Sequence, residues 1–167
     1  MVTTVSFKDA LLDGAREVLE TMAFMVVDES GQDGPEISEL ALLGSITFRG
    51  DLEGCLTICC GVDCARTIAA NMLGMNKGED LTQDGVCDAL AELTNMVMGA
   101  IKSRVQTSIG VMEVSIPSVV RGRELGNSLG EGTQKVAIQV SIEEQYGAVL
   151  SLMYRDVPSS RSRRLIR

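Results

Sequence analysis

Histidine is absent from all 167 positions of the chain, and so is tryptophan. Without imidazole there can be no Ser-His or Cys-His nucleophilic pair, no imidazole general base and no His-ligated metal centre. Only 2 Tyr and 3 Phe occur, and the formal net charge is −8. Neither a base-stacking platform nor a phosphate-tracking groove is therefore on offer, and nucleic acid is not an expected partner. Mean hydropathy is +0.17, yet no apolar run approaches the roughly 20 residues needed to span a bilayer. The opening stretch MVTTVSFKDALLDG has neither the basic nor the apolar segment of a secretion signal, so a cytoplasmic location is expected.

What is present is globular. Apolar residues make up 45% and charged residues 23% of the chain, enough to bury one core and too apolar for disorder throughout. Charge is uneven: residues 155–167 hold five Arg against one Asp, leaving −12 on the rest. This pattern divides the chain into one domain over 1–155 and a basic tail over 156–167, read as a solvated segment. The five cysteines (Cys55, Cys59, Cys60, Cys64 and Cys87) include no CxxC pair, and Cys55 and Cys59 fall in a run, GCLTICC, that alternates like a strand. They read as buried structural thiols, and no metal site is expected.

Apolar periodicity predicts an amphipathic helix over 6–25, with Ser6 as N-cap and Phe7, Leu11, Val18, Met22 and Met25 on one stripe. An acidic loop follows over 28–38. Strands over 41–49 and 54–60 are joined by a turn at Gly50 to Glu53, and a short helix over 62–73 ends at Gly74. A polar loop covers 76–80, and a long helix opens at Thr82 and runs to 106. Strands are then predicted over 111–121, 134–143 and 148–154. The loop 126–133 joins the first two, and Tyr146-Gly147 is the turn before the last. Helix-plus-hairpin thus occurs twice, over 6–60 and 82–154, the second time with an extra strand. The fold class is α+β: a pseudo-duplicated unit around a largely antiparallel sheet, with the long helices on one face.

Chemistry concentrates on the long helix. Val86, Leu90, Leu93, Val97 and Ile101 share one stripe at 100° per residue and must face the core. Asp88, Glu92, Asn95 and Gly99 line a second stripe nearly opposite, an exposed ridge. A plain solvated face would account for exposure but not for the residue choice. Asn95 is a poor mid-helix residue. Gly99 costs about 1 kcal/mol relative to Ala there. Asp88 and Glu92 are like charges four apart with no base offered to either. Such local inconsistencies gather at functional sites.

Asp88-x3-Glu92-x2-Asn95, followed after 21 residues by Pro117, resembles the signature of the CheC/CheX/FliY phosphatases of bacterial chemotaxis. The order of elements over 6–154 and the segment Ser115-Ile116-Pro117 resemble CheX-like members in particular. The resemblance implies an enzyme, a phosphatase that hydrolyses the aspartyl phosphate of a CheY-like response regulator. Asn95 would position the attacking water, Glu92 would pair with the regulator's active-site lysine, and Asp88 and Gly99 would border the contact. Pro117 would be structural, marking an edge or bulge. No cofactor of the chain's own is implied, because the Mg²⁺ would sit in the regulator. The resemblance further implies a homodimer formed through the sheets. Some members of the family carry the motif twice. Here the first helix has Asp13 and Glu17, but Glu20 and Leu42 stand at the Asn and Pro positions, so one site per chain is expected. The alternative within the same fold is a non-catalytic module that docks on a response regulator or a flagellar switch component.

Overall fold

The computed structural model describes residues 6–76 and 80–157. The predicted basic tail, from residue 158 onward, and positions 77–79 of the polar loop lie outside them. Helix α1 spans Phe7–Met22, α2 Val62–Met72 and α3 Gln83–Ile109; the strands are β1 Val27–Glu29, β2 Ala41–Arg49, β3 Leu52–Gly61, β4 Glu113–Val114, β5 Ser118–Gly122, β6 Gln134–Ile142 and β7 Tyr146–Asp156. All seven strands join one sheet in the order β1-β6-β7-β3-β2-β4, with β5 also on β2, and every pairing is antiparallel. The α+β class is as expected.

Helices α1 and α3 begin where capping chemistry directs. Ser6 Oγ accepts from the Asp9 N–H and Thr82 Oγ1 from the Gly85 N–H, each satisfying a donor that the first turn leaves without a partner. In β2, β3 and β7 alternate residues point to opposite faces. Leu42, Ile46, Leu56, Ile58, Cys60, Leu150 and Leu152 meet the helices in the main core. Among the described residues the opposite face has no helix, yet Cys55, Thr57 and Ser151 are only 2, 4 and 5% exposed. Part of the cover is the crossover from β5 to β6. It carries the chain from one side of the sheet past three strands, and its Asn127 amide donates to Cys55 Sγ at 3.0 Å while Leu129 O accepts from Arg155.

The internal repeat is fuller than helix plus hairpin. With β4 and β5 counted as one interrupted edge strand, each half has a long helix and three strands, and the halves exchange their first strands: β1 pairs with β6, β5 pairs with β2, and β3 and β7 meet at the centre. The extra strand expected only in the second half therefore has a counterpart in β1, which overlaps the start of the segment 28–38 read as a loop.

Other boundaries differ for local reasons. α1 stops at Met22, and Phe24 takes a φ of 55°, so Met22 is exposed rather than on the core stripe and Met25 is buried beyond the helix. The turn between β6 and β7 is Glu143 to Gln145, with Glu143 and Glu144 at positive φ. Tyr146 and Gly147 belong to β7. Gly147 is required there because a Cβ would overlap Pro35 O of the segment lying across the strand. β7 also continues through Asp156, into the segment read as tail.

Candidate functional site

Two glycines set the position of α3. At Gly44 in β2 an added Cβ would overlap Thr94 Oγ1, so only a bare backbone lets α3 lie this close to the sheet. Thr94 is fully buried, and its hydroxyl donates to Leu90 O at 2.7 Å. On α1, a Cβ added at Gly14 would sit 3.3 Å from Ile101 Cγ1 and 3.5 Å from Ala100 Cβ, which marks the close crossing of α1 and α3. With the sheet against Thr94, α1 against Ala100 and Ile101, and α2 also packed on the helix, the face of α3 left over is turned outward.

That face carries the predicted ridge. Asp88, Glu92, Asn95 and Gly99 are all exposed, while Val86, Leu90, Leu93, Val97 and Ile101 are buried. Along the helix axis Asp88 and Gly99 lie about 16 Å apart. Among the described residues, no side chain hydrogen-bonds or ion-pairs with Asp88, Glu92 or Asn95. At Gly99 an added Cβ would meet nothing within 4 Å, so packing inside the chain does not require glycine there.

The matching face of α1 is occupied. Glu17, which aligns with Glu92 in the repeat, is ion-paired with Arg104 of α3, and Asp13 lies 3.8 Å from the Arg16 guanidinium. Glu20 is exposed where the amide would stand.

Pro117 is not inside a continuous strand. It sits in the break between β4 and β5, both of which pair with β2. Val114 faces Phe48 and Ser118 faces Ser45, so four steps on one strand oppose three on the other: a bulge at the sheet edge. Ser115 closes it, its N–H donating to Thr47 O and its Oγ accepting from the Thr47 N–H at 3.0 Å. Pro117, with no N–H to give, fits the unpaired position.

Four of the five thiols, Cys55, Cys59, Cys60 and Cys64, belong to β3 and α2 rather than to the ridge helix. A hydrogen bond with Cys64, and then burial, push Cys60 well above the ordinary thiol pKa, and burial pushes Cys55 and Cys59 up. All three are held as neutral thiols at pH 7, poor nucleophiles and poor metal ligands. Among the described residues no group of three or more Cys, Asp or Glu converges on a point where a metal could be held, and no helix is long and apolar enough to cross a membrane.

A family model described as chemotaxis phosphatase CheX matches residues 42–141, more than half of the chain. The chain belongs to the CheX family. No curated protein matches it. Among solved structures, chemotaxis protein CheX from Vibrio vulnificus superposes with a TM-score of 0.74 at 25% identity, covering 90% of this chain and 100% of that one. CheX from Desulfovibrio desulfuricans gives 0.72 at 20% identity, covering 89% and 99%. The Borrelia burgdorferi CheX, solved in complex with CheY, BeF3 and Mg²⁺, gives 0.70 at 16% identity, covering 92% and 100%. The CheX match takes in β2 and α3 together with Pro117, so the Gly44–Thr94 contact, the ridge and the edge bulge all lie within it.

Proposed function

We propose that this chain hydrolyses the aspartyl phosphate of a CheY-like receiver domain in chemotaxis or motility signalling, in the cytoplasm, with α3 laid against the receiver's phosphorylation site. The observation that carries this reading is the ridge itself: two carboxylates and a carboxamide in line, exposed, with no partner among the described residues, beside a glycine that leaves room for another molecule. The Asn95 carboxamide both accepts and donates hydrogen bonds, so it can hold a water in line with the phosphorus without competing as a nucleophile. Water adds to phosphorus as the bond to the aspartyl oxygen breaks, releasing inorganic phosphate and the carboxylate. Little covalent help is needed; position is the contribution. Glu92 pairs with the receiver's active-site lysine, and Asp88 borders the contact. The Mg²⁺ belongs to the receiver in this reading, which is supported by a Borrelia complex that contains CheX, CheY, BeF3 and Mg²⁺.

The test is phosphate release from a CheY-like receiver labelled with acetyl phosphate and Mg²⁺. Wild-type chain accelerates release, and Asn95→Ala, with an unchanged circular dichroism spectrum, returns it to the receiver's own rate. A receiver that binds the chain but loses phosphate no faster makes the ridge a docking face without catalysis.

The same reading includes a homodimer through the β4–β5 edge. Val114, Val120 and the 90%-exposed Ile116 lie along that edge, whereas β1 at the other edge carries Asp28 and Glu29, the latter held by Lys8. Light scattering that gives one chain mass at micromolar concentration removes the dimer from the proposal.

A further inference from the structure

Lys102 follows Asn95 by seven residues, two turns of α3, so the two side chains leave the helix within about 20° of each other and about 10 Å apart along its axis. A long side chain on a helix leans toward the N-terminus. Lys102 therefore leans back across the turn that holds Gly99, where the missing side chain leaves open space. Its reach of roughly 6 Å brings the ammonium to about the Gly99 level, roughly 4 Å short of Asn95 along the axis, a gap that a phosphoryl group can bridge.

The isolation of Lys102 is unusual within this molecule. The three helices carry five Lys and Arg side chains. Lys8 pairs with Glu29, Arg16 with Asp13 and Arg104 with Glu17, and Arg66 donates to Leu81 O. Lys102, half-buried, is the one cation on a helix that makes neither an ion pair nor a hydrogen bond among the described residues. The outward face of α3 thus reads carboxylate, carboxylate, carboxamide, gap, ammonium. A partner that fits it presents a cation toward Asp88 and Glu92 and an anion toward Lys102, with Asn95 between.

We propose that Lys102 is a specificity-determining residue whose ammonium engages the phosphoryl oxygens of the docked receiver, so that the chain binds the phosphorylated form in preference to the free one. The inference rests on the phosphatase reading for the identity of the partner. A lysine suits the task as a compact charge on a flexible stem, able to follow phosphate oxygens without a fixed fork geometry. The carboxylates dock whichever form arrives; the ammonium responds to the added negative charge.

The experiment measures Kd for a receiver activated by beryllofluoride and Mg²⁺ and for the same receiver unmodified, with wild type, Lys102→Gln, Lys102→Arg and Asn95→Ala. Gln matches Lys closely in helix propensity, so the fold is kept; Lys102→Met is a second neutral variant should Gln fail to fold. Lys102→Gln weakens binding of the activated receiver by about tenfold and leaves binding of the unmodified form nearly unchanged. Lys102→Arg recovers most of the preference, and raising KCl from about 50 to 300 mM erodes it in wild type more than in the Gln variant. Retention of the full preference in Lys102→Gln overturns the proposal, as does a wild type that binds both forms equally. Catalysis is scored separately. Asn95→Ala keeps the preference and loses turnover, and a wild type that prefers the activated receiver but releases no phosphate ends the phosphatase reading alone.

Discussion

Replacing Gly99 with Ala separates what this helix needs from what its partner needs. Gly99 lies well inside α3, ten residues before its end at Ile109, and an added Cβ would touch nothing within 4 Å. Folding then gains the full difference in helix propensity, about 1 kcal/mol, because alanine loses less backbone freedom and creates no clash. For a chain of this size that corresponds to a rise in Tm of about 2–4 °C. Binding should move the other way. A methyl group at a close contact with the receiver lifts the two surfaces apart at the level of Asn95, where a misplacement of about 1 Å can cost a hundredfold in rate. The assay is a thermal melt followed by phosphate release from an acetyl-phosphate-labelled receiver. The expected result is a more stable protein with catalytic efficiency down at least tenfold. If Gly99→Ala raises Tm and leaves both kcat and KM unchanged, no partner approaches there, and the glycine ceases to count as part of the contact. A fall in Tm refutes the open-space reading itself.

Gly44→Ala gives the opposite stability result. Its Cβ would overlap the hydroxyl of buried Thr94, so α3 must lift from β2 or Thr94 must break its bond to Leu90 O. A loss of about 1–3 kcal/mol is expected, read as a lower urea midpoint with weaker phosphatase activity; an unchanged midpoint means that the helix–sheet contact is softer than described. The thiols predict the alkaline limb of stability. Cys55, Cys59 and Cys60 have folded pKa values raised above the ordinary thiol range. Above about pH 8.5 the unfolded chain therefore loses protons that the folded chain keeps, and stability falls as pH rises. Urea midpoints at pH 7.5 and 9.5 measure the fall, which should shrink in a Cys60→Ala, Cys64→Ala variant; an equal fall in both proteins assigns it to other groups.

Elements whose cause is local were readable in the sequence, and elements whose cause is remote were not. α3 declares itself through the Thr82 cap, its apolar stripe and its length. β2 and β3 declare themselves through alternation and the Gly50-Asp51 turn. β1 has only three residues, two of them acidic, and exists because Val140, Ser141 and Ile142 pair with it from more than a hundred residues away. The Glu143–Gln145 turn places two glutamates in left-handed backbone that their chemistry does not favour, while Tyr146-Gly147 offered a turn signal that packing by Pro35 explains instead. The single predicted strand over 111–121 became two because its register against β2 slips at the bulge before Pro117. Lys102 is silent in the sequence for a related reason: one lysine on a helix means little until the other helical cations among the described residues are found with partners.

The duplicated architecture also explains why one ridge is open and the other closed. Two equivalent halves would present two acidic helix faces, yet Arg104 of α3 is spent on Glu17 of α1. That pair is largely exposed, so its contribution to stability is small, about 0–1 kcal/mol. Its larger consequence is that the carboxylate on α1 corresponding to Glu92 already has a cation. Removing Arg104 would free Glu17 without creating a second site, because Glu20 offers only acceptors where Asn95 offers a donor as well. The loss of the amide and the capture of the carboxylate are separate changes with the same effect. Together they leave α1 to buttress α3 through the close crossing at Gly14, and under the proposed function the approach of a partner falls to α3 alone.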